Sequence, residues 1–132
     1  MQRHPIPAMV EIEIANRSGL GVDERAAGEL VRRVLAGEGV ESGELGIAFV
    51  GSDEMRALKA EHLGIAEATD VLSFPIDGRG ELPAGLPRQL GDVVVCPQVT
   101  GDVWRGPLVH GVLHLLGYGH GGEMEAREEV YA

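Results

Sequence analysis

Hydrophobic and polar positions alternate at two places along the chain. Val10, Ile12 and Ile14 alternate with Glu11 and Glu13, and Leu45, Ile47 and Phe49 repeat the period until Gly51 closes it. A period of two marks a half-buried strand. Between these runs Ala27, Leu30, Val31, Val34 and Leu35 recur at helical spacing behind Asp23, a good N-cap, and end near Gly37. Ser52 is the expected cap of a second helix carrying Met55, Leu58 and His62, stopped by Gly64. Val71 to Phe74 reads as a third strand, ended by Pro75, and Leu90 to Cys96 as a fourth after a turn-rich stretch. Pro97 opens a short connection. Pro107 then suits the first turn of an apolar helix over Leu108 to Leu116, which Gly117 stops. A short acidic helix from about Glu123 to Tyr131 follows. The order β-α-β-α-β-β-α-α predicts the α+β class: a single domain over residues 1–132, with a mixed sheet of about four strands and helices packed on it.

Composition narrows the classes of function. A hydrophobic fraction of 44% and a charged fraction of 24% exclude a disordered chain. No apolar run approaches the roughly 20 residues a membrane helix needs, so no membrane partner is expected. The opening MQRHPIPAM has no apolar stretch of signal-peptide length, and Cys96 is the only cysteine, which together point to a reducing cytoplasm. With Lys+Arg 11 against Asp+Glu 21, the net charge of −10 argues against a broad electrostatic grip on nucleic acid. The charge is uneven: net −5 over residues 41–70, −3 over 121–132 and −1 over 71–120.

Three of the five histidines fall in the segment HGVLHLLGYGH, as His110, His114 and His120. A spacing of four places His110 and His114 one helical turn apart on one face. The helix around them is apolar nearly all round and expected to be buried, so two imidazoles there need partners, and a divalent metal satisfies both. Gly117 lets the chain turn back so that His120 can supply a third nitrogen, the donor set of a catalytic zinc rather than a structural one. Zn2+, one per chain, is the expected cofactor, although other transition metals bind imidazoles as well. Packing without a metal is the plainer alternative for the three. His4 and His62 stand outside the cluster, His4 read as solvated and His62 as helix surface. The spacing matches the zinc-peptidase pattern H-E-x-x-H-x-x-G-x-x-H except that Gly111 stands where the general-base glutamate belongs, which makes a peptidase a poor reading.

HGVLHLLGYGH resembles the signature of the YbeY family, bacterial metal-dependent endoribonucleases of rRNA maturation and ribosome quality control. Thr69-Asp70-Val71-Leu72-Ser73-Phe74-Pro75 and Leu90-Gly91-Asp92-Val93-Val94-Val95-Cys96-Pro97 fit the same family, so the resemblance covers about residues 58 to 125. It implies that His110, His114 and His120 are the zinc ligands, that the substrate is single-strand-type RNA, and that the ribosome or a ribosomal protein is a partner. Two positions depart from the pattern: Gly119 stands where an aspartate usually precedes the third histidine, and Leu63 where an arginine usually precedes the glycine after the second helix.

The sequence leaves the proton shuttle open. Asp70 and Ser73 are the candidate catalytic residues; a turn cap for Asp70 and a locally bonded hydroxyl for Ser73 are the alternatives. Asp92 reads as a turn residue or a group that orients a histidine. Cys96 reads as an inert buried thiol, Met124 as packing and Trp104 as a loop anchor. Arg79, Arg88 and Arg105 are the candidate phosphate contacts. Two further functions stay in view: a non-catalytic zinc-binding ribosome assembly factor, and a metal-dependent hydrolase of a non-RNA substrate. On sequence alone the acidic segments lie apart from the histidine motif, which would leave a small, nearly neutral cleft open to RNA.

Overall fold

The two alternating segments form neighbouring parallel strands. The computed structural model describes residues 9–83, 85–119 and 121–131. Its elements are β1 (Met9–Arg17), α1 (Glu24–Gly37), β2 (Ser42–Val50), α2 (Ser52–Leu63), β3 (Val71–Pro75), β4 (Gln89–Val95), α3 (Pro97–Thr100), α4 (Arg105–Leu115) and α5 (Gly122–Tyr131). The four strands make one sheet in the order β1-β2-β4-β3. β2 runs parallel to both β1 and β4, while β3 pairs antiparallel with β4 and forms an edge. The α+β class and the mixed sheet of four strands are therefore as expected. No helix among the described residues is long and apolar enough to cross a membrane.

Strand alternation sorts residues onto two faces. On one, Leu45, Ile47, Phe49, Val93 and Val95 meet the apolar stripe of α1 and the buried side of α4. On the other, Val50, Val94 and Cys96 pack on Met55 of α2, with Leu72 and Phe74 of β3 alongside. Packing fixes α4 more than capping does. Its N-cap residue Trp104 makes no side-chain cap bond, whereas Leu108, Val109, Val112, Leu113 and Leu115 are all buried. Each contributes about 1.5–3 kcal/mol on leaving water.

Local signals were read correctly at α1, where Asp23 accepts a hydrogen bond from the Ala26 amide at 2.9 Å. They misled at three places. Ser52 is the first residue of α2 rather than its cap, a position held by Gly51 without a side-chain bond. The connection after Cys96 contains the one-turn helix α3, because Pro97 suits a first helical turn and Thr100 is buried against the fold. α4 begins at Arg105, a turn's start earlier than the apolar run indicates.

The last helix is fastened differently from the others. Only Met124 and Tyr131 of α5 are buried. The helix is also held by Glu38, the C-cap residue of α1, whose carboxylate accepts from Tyr131 Oη at 2.5 Å and from Arg127 Nε at 2.9 Å and Nη2 at 2.5 Å. Tyr118 Oη adds a bond of 2.7 Å. Burial opposes ionisation of Glu38 more than any other single influence, yet Tyr118, Tyr131 and Arg127 together hold its carboxyl below the usual 4.5. A carboxyl whose pKa is lowered by folding adds stability above its unfolded value and loses it as the pH falls through that value toward the folded one. The stability lost on Glu38→Gln, measured by denaturant unfolding, is accordingly expected to shrink between about pH 6 and about pH 3. Parallel pH profiles for the two proteins would contradict this.

Candidate functional site

Helix α4 lies across β3 and β4, so the three stretches quoted above, TDVLSFP, LGDVVVCP and the histidine segment, come together. The contact is close at Gly111. A Cβ there would stand 2.5 Å from Val93 Cγ1 and 3.1 Å from both Val71 Cγ2 and Ser73 Oγ. Ser73 Oγ donates to the Gly111 carbonyl at 2.9 Å, pinning the helix to the edge strand. Position 111 thus faces the sheet, which explains why the glutamate of the peptidase pattern is missing: it would point into packed core.

Round the helix from Gly111, the two histidines share one flank and line a cleft beside the sheet contact. His110 and His114 are half-buried, with Nε2 atoms turned toward each other at 3.0 Å. His110 Nδ1 donates to Glu128 Oε1 of α5 at 2.5 Å, and His114 Nδ1 donates to the Tyr118 carbonyl at 2.8 Å. A carboxylate and a carbonyl only accept, so each ring carries a proton on Nδ1 and turns its Nε2 toward its neighbour. That tautomer and that outer bond are the ones metal-ligating histidines have. Two ligands held at 2.0–2.1 Å in a tetrahedron stand about 3.3 Å apart, close to the separation found. The pair fits a zinc-sized cation between its ring nitrogens. His120 lies outside the described residues, as does His4.

The pair opens into a cleft of about 1040 Å³, walled by residues 69–73 and Pro75 on one side and by α4 and α5 on the other. Both candidate catalytic residues line it. Asp70 is exposed there, and its Oδ1 accepts from the amide of the next residue, Val71, at 2.8 Å. Ser73 is bonded to α4 as described. The nearly neutral cleft expected from the sequence is not what the fold builds. Glu125, Glu128 and Glu129 of the acidic last helix also line it, and no Lys or Arg is among its described lining residues.

Other expectations resolve plainly. Asp92 does not reach the histidines; its side chain lies against Gly46 and lines a groove on the opposite sheet face. His62 is exposed on that same face, its ring 4.8 Å from that of Phe74. Cys96 and Met124 are buried. Trp104 is buried edge-on to Phe49, and the exposed Arg105 covers its ring at 4.5 Å. Arg79 donates to the Glu38 carbonyl, and Arg88 to those of Gly78 and Gly80. Leu63 is exposed and lies outside the cleft lining. Glu128 and Tyr118 are the site residues that sequence reasoning missed. The spacing of Glu125, Glu128 and Glu129 on one helical face was the available signal for the first; a backbone carbonyl leaves none.

Fold and site define an α+β protein with an imidazole-lined cleft at the edge of its sheet. The family model described as Endoribonuclease YbeY matches residues 13–130. An Endoribonuclease YbeY of Salinispora tropica is 40% identical over 143 residues, spanning 93% of this chain and 90% of that protein. One of Acidothermus cellulolyticus is 40% identical over 140 residues, spanning 92% and 85%. The solution structure of a Thermotoga maritima protein shares the fold, with a TM-score of 0.57, 24% identity and coverage of 91% of this chain and 85% of that one. This chain belongs to the YbeY endoribonuclease family, and the resemblance read from its three motifs is borne out.

Proposed function

We propose that this chain is a metal-dependent endoribonuclease that cuts single-strand-type RNA at a site formed by His110, His114 and His120, with one zinc ion per chain. The family relation supports RNA as substrate. It also supports our extending the reading to rRNA maturation and ribosome quality control in the cytoplasm, with the ribosome or a ribosomal protein as partner. The observation that carries the metal reading is the facing pair of Nε2 atoms, each ring aimed by an outer acceptor.

When bound, zinc supplies a dication that draws in a scissile phosphate and acidifies water beside it. The remaining work falls to side chains. Glu128 and the Tyr118 carbonyl hold the two imidazoles in one tautomer. Asp70, exposed on the wall, is the carboxylate we assign to accepting a proton from water or from a 2′-OH. Ser73 holds α4 against β3 and leaves proton transfer to Asp70.

The acidity of the cleft sharpens the test. Asp70, Glu125, Glu128 and Glu129 repel a polyanion, so attraction depends on the cation the histidines hold. Stripping the protein with a chelator is expected to abolish both binding and cleavage of a single-stranded RNA, and added zinc to restore both. Cleavage at full rate by chelated, metal-free protein would overturn the reading. A 2′-deoxy at the cut site separates the two routes, because only attack by the 2′-OH is stopped by it. The same acidity favours a second reading, an assembly factor that holds zinc without catalysis; such a protein takes up metal and leaves RNA intact.

A further inference from the structure

Glu38 is an expensive residue in its place. It caps the C-terminus of α1, where the helix dipole disfavours negative charge, and its side chain is only 2% exposed. A buried carboxylate is tolerated when donors and positive charge surround it: Tyr118, Tyr131 and Arg127 donate to it, and Arg79 pairs with it at 3.6 Å. Two of these donors are next to the histidines' own partners. Tyr118 gives its hydroxyl to Glu38 and its carbonyl to His114. Arg127 precedes Glu128, which holds His110. One carboxylate therefore grips both pieces of chain that aim the imidazoles. In sequence, His120 falls between those two pieces.

We propose that Glu38 is a positioning residue of the histidine site, fixing the direction of both imidazoles through Tyr118 and α5 while touching neither. The inference rests on the metal-binding reading above. It predicts that affinity for a transition-metal ion depends on a side chain from the far end of α1, and that the dependence is separate from fold stability.

The experiment measures zinc affinity by competition with a chromophoric chelator, and ligand geometry by the visible spectrum of the cobalt(II)-substituted full chain. Loss of an outer-shell bond weakens metal binding roughly 10–100-fold; these variants keep the outer-shell bonds and loosen the groups that make them, so Tyr118→Phe and Glu38→Gln are each expected toward the lower end of that range, with shifted cobalt bands. Met55→Ala is the control. It opens a cavity in the core on the opposite face, lowers the melting temperature, and should leave zinc affinity and the cobalt spectrum unchanged. Zinc affinities of Tyr118→Phe and Glu38→Gln within about twofold of the parent, well under the usual outer-shell effect, would overturn the proposal. So would a Met55→Ala protein weakened as much as they are. If Glu38→Gln does not fold, Tyr118→Phe decides alone, since it removes one hydroxyl from a half-buried ring. A parent chain that takes up no zinc overturns the metal reading together with this one, and its own titration tells that failure from failure of the brace.

Discussion

Gly111→Glu, which restores the zinc-peptidase pattern, is expected to yield a chain that does not fold rather than a peptidase. The Cβ alone would stand 2.5 Å from Val93 Cγ1, and Val93 is fully buried. Gly111→Ala should therefore cost about 1–3 kcal/mol, the usual scale of overpacking. Glutamate adds a carboxylate buried without a partner, several kcal/mol more. The sum is a large part of the roughly 5–15 kcal/mol that holds a domain together. Melting temperature and denaturant midpoint check the alanine variant, and soluble yield and circular dichroism the glutamate one. An alanine variant as stable as its parent would show that α4 stands farther from β4 than described. The same geometry separates this site from a peptidase: the residue after the first histidine is turned to the sheet, so a proton acceptor has to come from another wall of the cleft.

His114→Ala is expected to keep the fold and lose the chemistry. The imidazole is half-buried, so its removal should cost about 1–2 kcal/mol of stability, an ordinary substitution. Cleavage of single-stranded RNA should fall on the order of 10³-fold or more, the scale on which a metal's charge and its effect on water matter. Zinc uptake should fall with it. Asp70→Asn makes the informative comparison: under the assignment above it slows turnover while zinc affinity stays at the parent's value. Full cleavage by His114→Ala would move the chemistry away from α4 altogether. A fall in zinc uptake with Asp70→Asn would move Asp70 from proton transfer to metal support.

What could be read from the residues was what is encoded locally. Alternation at Val10–Ile14 and Leu45–Phe49, the Asp23 cap and the four-residue spacing of His110 and His114 each need only neighbours in sequence, and each stands as read. Strand order is different, because it follows from which faces bury against which helices. Asp92 shows the consequence. Its place at a strand entrance suggests a turn residue or an aide to a histidine, yet on β4 it alternates with Val93, whose side chain meets Gly111, so it has to face the other way. The acidic tail shows it again. Counting charge along the chain put residues 121–132 far from the motif, whereas α5 packs on α4 and brings Glu125, Glu128 and Glu129 to the cleft. Glu38 was invisible as a site residue for the same reason: its partners Tyr118, Arg127 and Tyr131 are remote in sequence and converge only after folding.

The open cleft also bears on self-association. Its wall is the outer edge of β3, and a strand edge is a template on which other strands can add. β3 is five residues long and ends at Pro75, which has no amide hydrogen to offer a newcomer. Carboxylates of Asp70 at its start and of α5 across the cleft would meet any second copy with like charge. Short length, a terminal proline and negative charge are the means by which β proteins keep bare edges from seeding aggregates. The acidity that, on the proposed reading, makes RNA depend on a cation thus also guards the edge, and neutralising Glu125 and Glu129 together is expected to trade easier access for a chain more prone to stack on itself.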